Sequence, residues 1–112
     1  MQVKFFKKIF DGASAAAESD PIYNLYSDAL SVQIDGTFSA ISFKVFGKVT
    51  KESESFVELS AINLNSFDAA SEITEKGIYE IAVEGICVLK FQIVSISGGN
   101  ADVDIRLVST GN

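Results

Sequence analysis

The stretch that decides the fold is Ile86–Leu107, ICVLKFQIVSISGGNADVDIRL. Cys87, Leu89, Phe91 and Ile93 recur at every second position, and so do Val103, Ile105 and Leu107 after the Ser97-Gly98-Gly99-Asn100 turn. A period of two is that of a β-strand with one buried face, and Gly-Gly between two such runs is a hairpin signal. The block therefore predicts a central hairpin whose inner face holds Cys87, Leu89, Phe91, Ile93, Val103, Ile105 and Leu107. Asp102, Asp104 and Arg106 fall on the solvent face.

The same period recurs on either side of this block. Leu30, Val32 and Ile34 alternate up to Asp35-Gly36; Ile41, Phe43 and Val45 alternate within Phe38–Phe46. Phe56–Ile62 reads as a further strand, with Val57 and Leu59 on one face. Residues 63–72 read as a connection, and Glu75-Lys76-Gly77 turns into Ile78–Val83, with Tyr79, Ile81 and Val83 facing inward. Six or seven short strands spaced roughly every ten residues, with Gly or charged turns between them, predict an all-β antiparallel β-sandwich, jelly-roll-like or immunoglobulin-like. The gaps are too short for the helices of a parallel α/β fold.

Residues 1–21 read as an N-terminal segment or arm, and residues 22–112 as the β-sandwich domain. MQVKFFKKIF carries Phe on both alternating faces and fits a strand or a partly amphipathic helix. Ser14–Glu18 could form one helical turn before Pro21, the only proline.

At 112 residues the chain is one domain, long enough to enclose a core without staples. Nine Phe, three Tyr and no Trp suit half-buried pleated surfaces. The net charge is −6, which disfavours nucleic acid as a partner. Lys4, Lys7 and Lys8 place +3 in the first ten residues, leaving −9 on the rest. A basic tip on an acidic body fits an edge strand guarded by lysines, or pairing with an acidic neighbour such as another copy of the chain. One cysteine permits no intrachain disulfide. No secretory signal or long apolar run is evident, so synthesis in a cytoplasm and no membrane partner are expected.

The chemistry is sparse. The chain has no histidine, which removes Ser-His-Asp and Cys-His catalysis and histidine metal ligands. Cys87 lies among apolar neighbours and reads as a structural thiol rather than a nucleophile. Asp102 and Asp104 form the best carboxylate pair for a hydrolase or a Ca²⁺ site, but no Asp-x-Asp-x-Asp-Gly loop accompanies them. No glycine-rich phosphate loop is present. Tyr23 and Tyr26, outside the strand pattern, are candidate subunit contacts or carbohydrate platforms. The reading is of no enzyme, no catalytic residue, no cofactor and no metal, with Phe5, Phe6, Ile9, Phe10, Tyr23 and Tyr26 as interface anchors.

SVQIDGTFSAISFKVFGKV at 31–49, FVELSAINL at 56–64 and ITEKGIYEIAVEGICVLKFQIVSISGGNADVDIRLVS at 73–109 together resemble small β-sandwich virion proteins of tailed bacteriophages. These are the capsid-decoration, head-fibre and tail-accessory types. The resemblance covers residues 30–109 and rests on turn glycines and alternation; Phe56 stands where that pattern often has Trp. It implies a virion component made in the host cytoplasm, assembling as a homo-oligomer and contacting other virion proteins such as capsid. It carries no catalytic residues. A carbohydrate- or Ca²⁺-binding module of a tail or adhesion apparatus is the alternative.

Overall fold

The two runs of the decisive block form strands, but those strands do not pair with each other. The computed structural model describes residues 2–110. Its strands are β1 (Gln2–Ala13), β2 (Ala17–Glu18), β3 (Ile22–Tyr23), β4 (Ala29–Gly36), β5 (Ala40–Lys48), β6 (Val57–Glu58), β7 (Ala61–Asn63), β8 (Ala69–Ala70), β9 (Gly77–Ala82), β10 (Val88–Ser97) and β11 (Ala101–Ser109). One sheet runs β1-β11-β4-β9-β7-β8; the other runs β2-β10-β5-β6, with β3 also on β10. The two sheets pack face to face as an antiparallel β-sandwich. Among the described residues no helix forms, so none is long and apolar enough to cross a membrane.

The expected hairpin is thus corrected to an arch. β10 pairs with β5 in one layer, whereas β11 pairs with β1 and β4 in the other. In a hairpin the apolar residues of both strands would share one face of one sheet. Here Leu89, Phe91 and Ile93 look across the core toward the layer of Val103, Ile105 and Leu107, and all six are buried. Alternation reveals which face of a strand is buried, but not which strand lies beside it. Cys87 is also corrected: it precedes β10, outside the strand, and is half-buried rather than on the inner face.

A second arch, Gly36 to Ala40, carries β4 into β5 in the opposite layer. The two arches lie against each other. Thr37 N donates to Asn100 O (2.9 Å) and Ser39 N to Ser97 O (2.9 Å). The Ser39 hydroxyl donates to Ser97 O as well (3.1 Å). Gly36 has φ +133°, and a Cβ there would overlap the Asn100 carbonyl; a Cβ on Gly99 would come within 2.5 Å of the Thr37 carbonyl.

The run 56–62 is not one strand. β6 belongs to one sheet and β7 to the other, so the chain changes layer near Leu59 and Ser60. Val57 is exposed, Leu59 is half-buried, and the inward residues of β7 are Ala61 and Asn63. The 63–72 connection contains β8.

The N-terminal segment, expected as an arm, is built into both layers. β1 is a strand running antiparallel along β11 from Gln2↔Ser109 to Ala13↔Ala101, with three register shifts. Ala17 and Glu18, expected in a helical turn, pair with Ile93 and Gln92 as β2. Phe10 is buried and meets Phe43 edge-on, with ring centroids 6.4 Å apart; Phe43 stacks on Phe91 at 6.5 Å. Such aromatic contacts add about 0.5–1.5 kcal/mol beyond area burial.

Gly36→Ala should lower stability far more than Gly85→Ala, because both positions have positive φ but only the first meets backbone. The conformational cost at Gly85 is about 1–2 kcal/mol, whereas φ +133° at Gly36 lies in a region essentially confined to glycine. Urea denaturation midpoints of the two variants check the difference.

Candidate interaction surface

The segment Pro21-Ile22-Tyr23-Asn24-Leu25-Tyr26-Ser27 includes β3 and leads toward β4, and it holds the most exposed aromatic side chain of the described residues. Leu25 and Tyr26 both take left-handed backbone, φ 57° and 61°. That conformation costs roughly 1–2 kcal/mol per residue when a Cβ is present. It persists because Asn24 ties the loop down from inside. Asn24 is 4% exposed. Its amide Nδ2 shares two N–H groups among three carbonyls, Ser27 O (2.9 Å), Val83 O (3.0 Å) and Ile86 O (2.9 Å). Its backbone N donates to Cys87 O (3.0 Å). One buried side chain therefore stitches the loop to the β9–β10 turn.

The outcome is display. Tyr26 is 99% exposed, and Tyr23 and Leu25 stand about half in solvent. They border a groove completed by Asp28, Glu84, Gly85, Ile86 and Cys87. The Lys51 ammonium lies 5.1 Å from the Tyr23 ring centroid, a cation–π distance.

A second surface is the outer face of the six-stranded sheet. Successive cross-strand partners place Phe6, Arg106, Ser31, Glu80 and Ile62 in one row and Lys8, Asp104, Gln33 and Ile78 in the next. Phe6, Val3 and Ile78 border a shallow, mainly apolar trough that Ser31 and Gln33 also line.

The six expected interface residues are therefore divided. Phe10 is core, and Phe5 and Ile9 are half-buried against it. Phe6 is bare on the sheet, and Tyr23 and Tyr26 are on the loop. Asp102 and Asp104 fasten β1: Asp102 Oδ1 accepts from Gly12 N (2.7 Å), and Asp104 pairs with Lys8 (3.5 Å). Among the described residues no three or more His, Cys, Asp and Glu side chains group as metal ligands. Leu25, Ile78 and the Asn24 clamp were not legible in the sequence. Glycine is what marks left-handed backbone in a sequence, and Leu-Tyr does not.

Lys44 and Tyr79 have displaced proton affinities, and both serve structural contacts. The hydrogen bond to Glu58 (2.7 Å) raises Lys44, with further help from the charges of Glu58 and Glu72. Burial raises Tyr79, whose hydroxyl donates to Glu75 O (2.7 Å), and the charge of Glu75 adds to the effect.

The fold defines a class: an all-β antiparallel sandwich with layer-crossing arches. No protein-family model matches the chain, and no curated protein matches its sequence. Two solved structures share the fold. The SPBc2 prophage-derived protein YomS superposes with a TM-score of 0.83 at 21% identity, over 94% of this chain and 92% of that one. The PBSX exported protein XepA superposes with a TM-score of 0.86 at 23% identity, over 94% of this chain but 37% of that one. The chain thus spans a little over a third of XepA, and both neighbours are phage-derived.

Asn24→Ala removes the side-chain donor to the Ser27 and Ile86 carbonyls, while Val83 O keeps the Ile86 N–H (3.0 Å), and should destabilise the chain by about 1–3 kcal/mol. Tyr26→Gly removes left-handed strain and should be neutral or mildly stabilising. Chemical denaturation of both variants separates clamp from display. Tyr79 has a raised folded pKa, so its contribution is complete below the ordinary value of about 10 and is lost as pH rises from there through the raised folded value. Tyr79→Phe should flatten the fall in stability as pH rises above about 10, read from denaturation midpoints at increasing pH.

Proposed function

We propose that the chain is a non-enzymatic structural protein of a bacteriophage particle, made in the host cytoplasm and acting through protein–protein contacts in the virion. The observation that carries this reading is the tyrosine loop. A buried amide holds two non-glycine residues in unfavourable backbone, and the result is three apolar side chains offered to solvent. Such display costs folding free energy and returns nothing to the isolated domain. Tyr is enriched where an aromatic body is buried in a contact while its hydroxyl stays wet. Support comes also from the fold shared with two phage-derived proteins. The partner is another virion protein such as capsid, received on Tyr23, Leu25 and Tyr26. Capsid decoration is the form this role takes here.

Particles of the phage that encodes the chain, purified on a density gradient and digested for mass spectrometry, should contain it in stoichiometric amount. A chain carrying Leu25→Ser and Tyr26→Ser should fold with an unchanged melting temperature yet be missing from those particles. A wild-type chain abundant in the lysate but absent from particles would overturn the virion role.

A further inference from the structure

The six-stranded sheet ends in two unlike margins. β1 has β11 on one side and no described strand on the other. Along residues 2–10 it carries Lys4, Lys7 and Lys8 and no acid. At the opposite margin lies β8, whose surroundings, residues 66–75, carry Asp68, Glu72 and Glu75 and no base, with Lys76 next in the chain; Glu72 also accepts from the Ser42 hydroxyl (2.5 Å), beside the pairing of Ile73 with Phe43 of β5. Residues 64–72 are exposed throughout. Each margin also presents one bare aromatic ring, Phe6 at 77% exposure and Phe67 at 76%. Phe67 does not simply dangle. It takes left-handed backbone at φ 64°, and its N–H donates to Asn63 O (2.7 Å). The buried Asn63 side chain accepts from Asn65 N (2.8 Å).

An open edge strand is a template for another strand, and charges on it decide which strand it accepts. β1 against β1 would set lysines against lysines, and β8 against β8 would set acids against acids; both arrangements are destabilising. β1 against β8 brings opposite charges and two rings together. We propose that copies of this chain join head to tail, the lysine margin of one receiving the acidic margin of the next, so that the six-stranded sheet continues across the contact. The lengths agree with a short join. β1 is regular only from Phe5 to Lys8, between two of its register shifts, and β8 is two residues long. Few backbone bonds form there, so the two rings and the rim of charges supply most of the contact. Lys8 reaches Asp104 at 3.5 Å with both side chains partly exposed, so it can be shared with an incoming acid. A contact between unlike margins is heterologous; it closes into a ring if the rotation per copy permits and otherwise runs on as a filament. This contact deepens the interaction role proposed above but uses surfaces separate from the tyrosine loop.

Sedimentation velocity of the whole purified chain tests it. In low salt the wild type should sediment as a multimer. At 1 M NaCl, where the screening length is about 3 Å, it should dissociate. A variant with Lys4→Glu, Lys7→Glu and Lys8→Glu should be monomeric, as should one with Asp68→Lys, Glu72→Lys and Glu75→Lys. Mixed in equal amounts, the two should associate again, because each then offers two like margins to the other. A wild type that stays monomeric at 100 μM overturns the proposal. So do folded variants that keep the wild-type size, or a mixture that stays monomeric while both components show wild-type melting. Should either triple variant fail to fold, Phe6→Ser and Phe67→Ser, at exposed positions, must each weaken the multimer at least tenfold, and unchanged association would overturn the contact. Leu25→Ser with Tyr26→Ser should leave the multimer intact. A chain that multimerises this way but is absent from phage particles overturns the virion role and leaves the contact standing.

Discussion

The constraint on which this fold rests is the fit of two arches at one end of the sandwich. The chain crosses between layers after β4 and again after β10, and the crossings lie so close that no Cβ fits between Gly36 and Asn100 or between Gly99 and Thr37. Their backbones bond directly, Thr37 to Asn100 and Ser39 to Ser97. That contact fixes how the two sheets sit. Given it, β4 meets β11 in one layer and β5 meets β10 in the other, in continuous register from Ala29↔Val108 to Gly36↔Ala101 and from Lys48↔Val88 to Ala40↔Ser97, the latter with one shift. These four strands bury the large apolar side chains of the core, including Phe43, Phe91, Leu30, Ile34, Leu89, Ile93 and Leu107. The remaining strands are additions to that frame.

β1 is the largest such addition, and its attachment explains residues that otherwise look catalytic. An Asp-x-Asp pair on a sheet face invites a metal or hydrolytic reading. In the structure each carboxylate is engaged by β1, one by the Gly12 amide and the other by Lys8. Exposed ion pairs of this kind contribute about 0–1 kcal/mol; they align the strand, while Phe10 in the core holds it. The lysines of β1 then guard a margin that would otherwise accept any strand.

The tyrosine loop illustrates the opposite economy. Strain in two residues is offset by one buried asparagine, and the result is exposure rather than burial. A side chain such as Tyr26, 99% exposed, contributes little to the folded monomer. The structure invests in holding it in place, and that is the physical ground for treating the loop as a contact surface.

Much of the architecture was legible in the sequence, because burial on one face of a strand writes itself as a period of two. Leu30, Val32 and Ile34, then Ile41, Phe43 and Val45, then Tyr79, Ile81 and Val83, and the inward residues of β10 and β11 from Leu89 onward are all buried as their spacing dictated. The all-β class followed from that period alone. Partnership did not. Whether Gly98-Gly99 closes a hairpin or an arch depends on what lies beyond the turn, and that is the other arch, sixty residues away in the chain. The division of 56–62 between two sheets was hidden for the same reason, since alternation is unchanged when a strand changes layer. Tertiary structure alone decided which aromatic residues remain outside: Phe10 and Phe6 read alike in the sequence. Only the register shift between Lys8 and Phe10 turns one ring inward, opposite Val103 and against Phe43, while Phe6 opposite Arg106 stays bare.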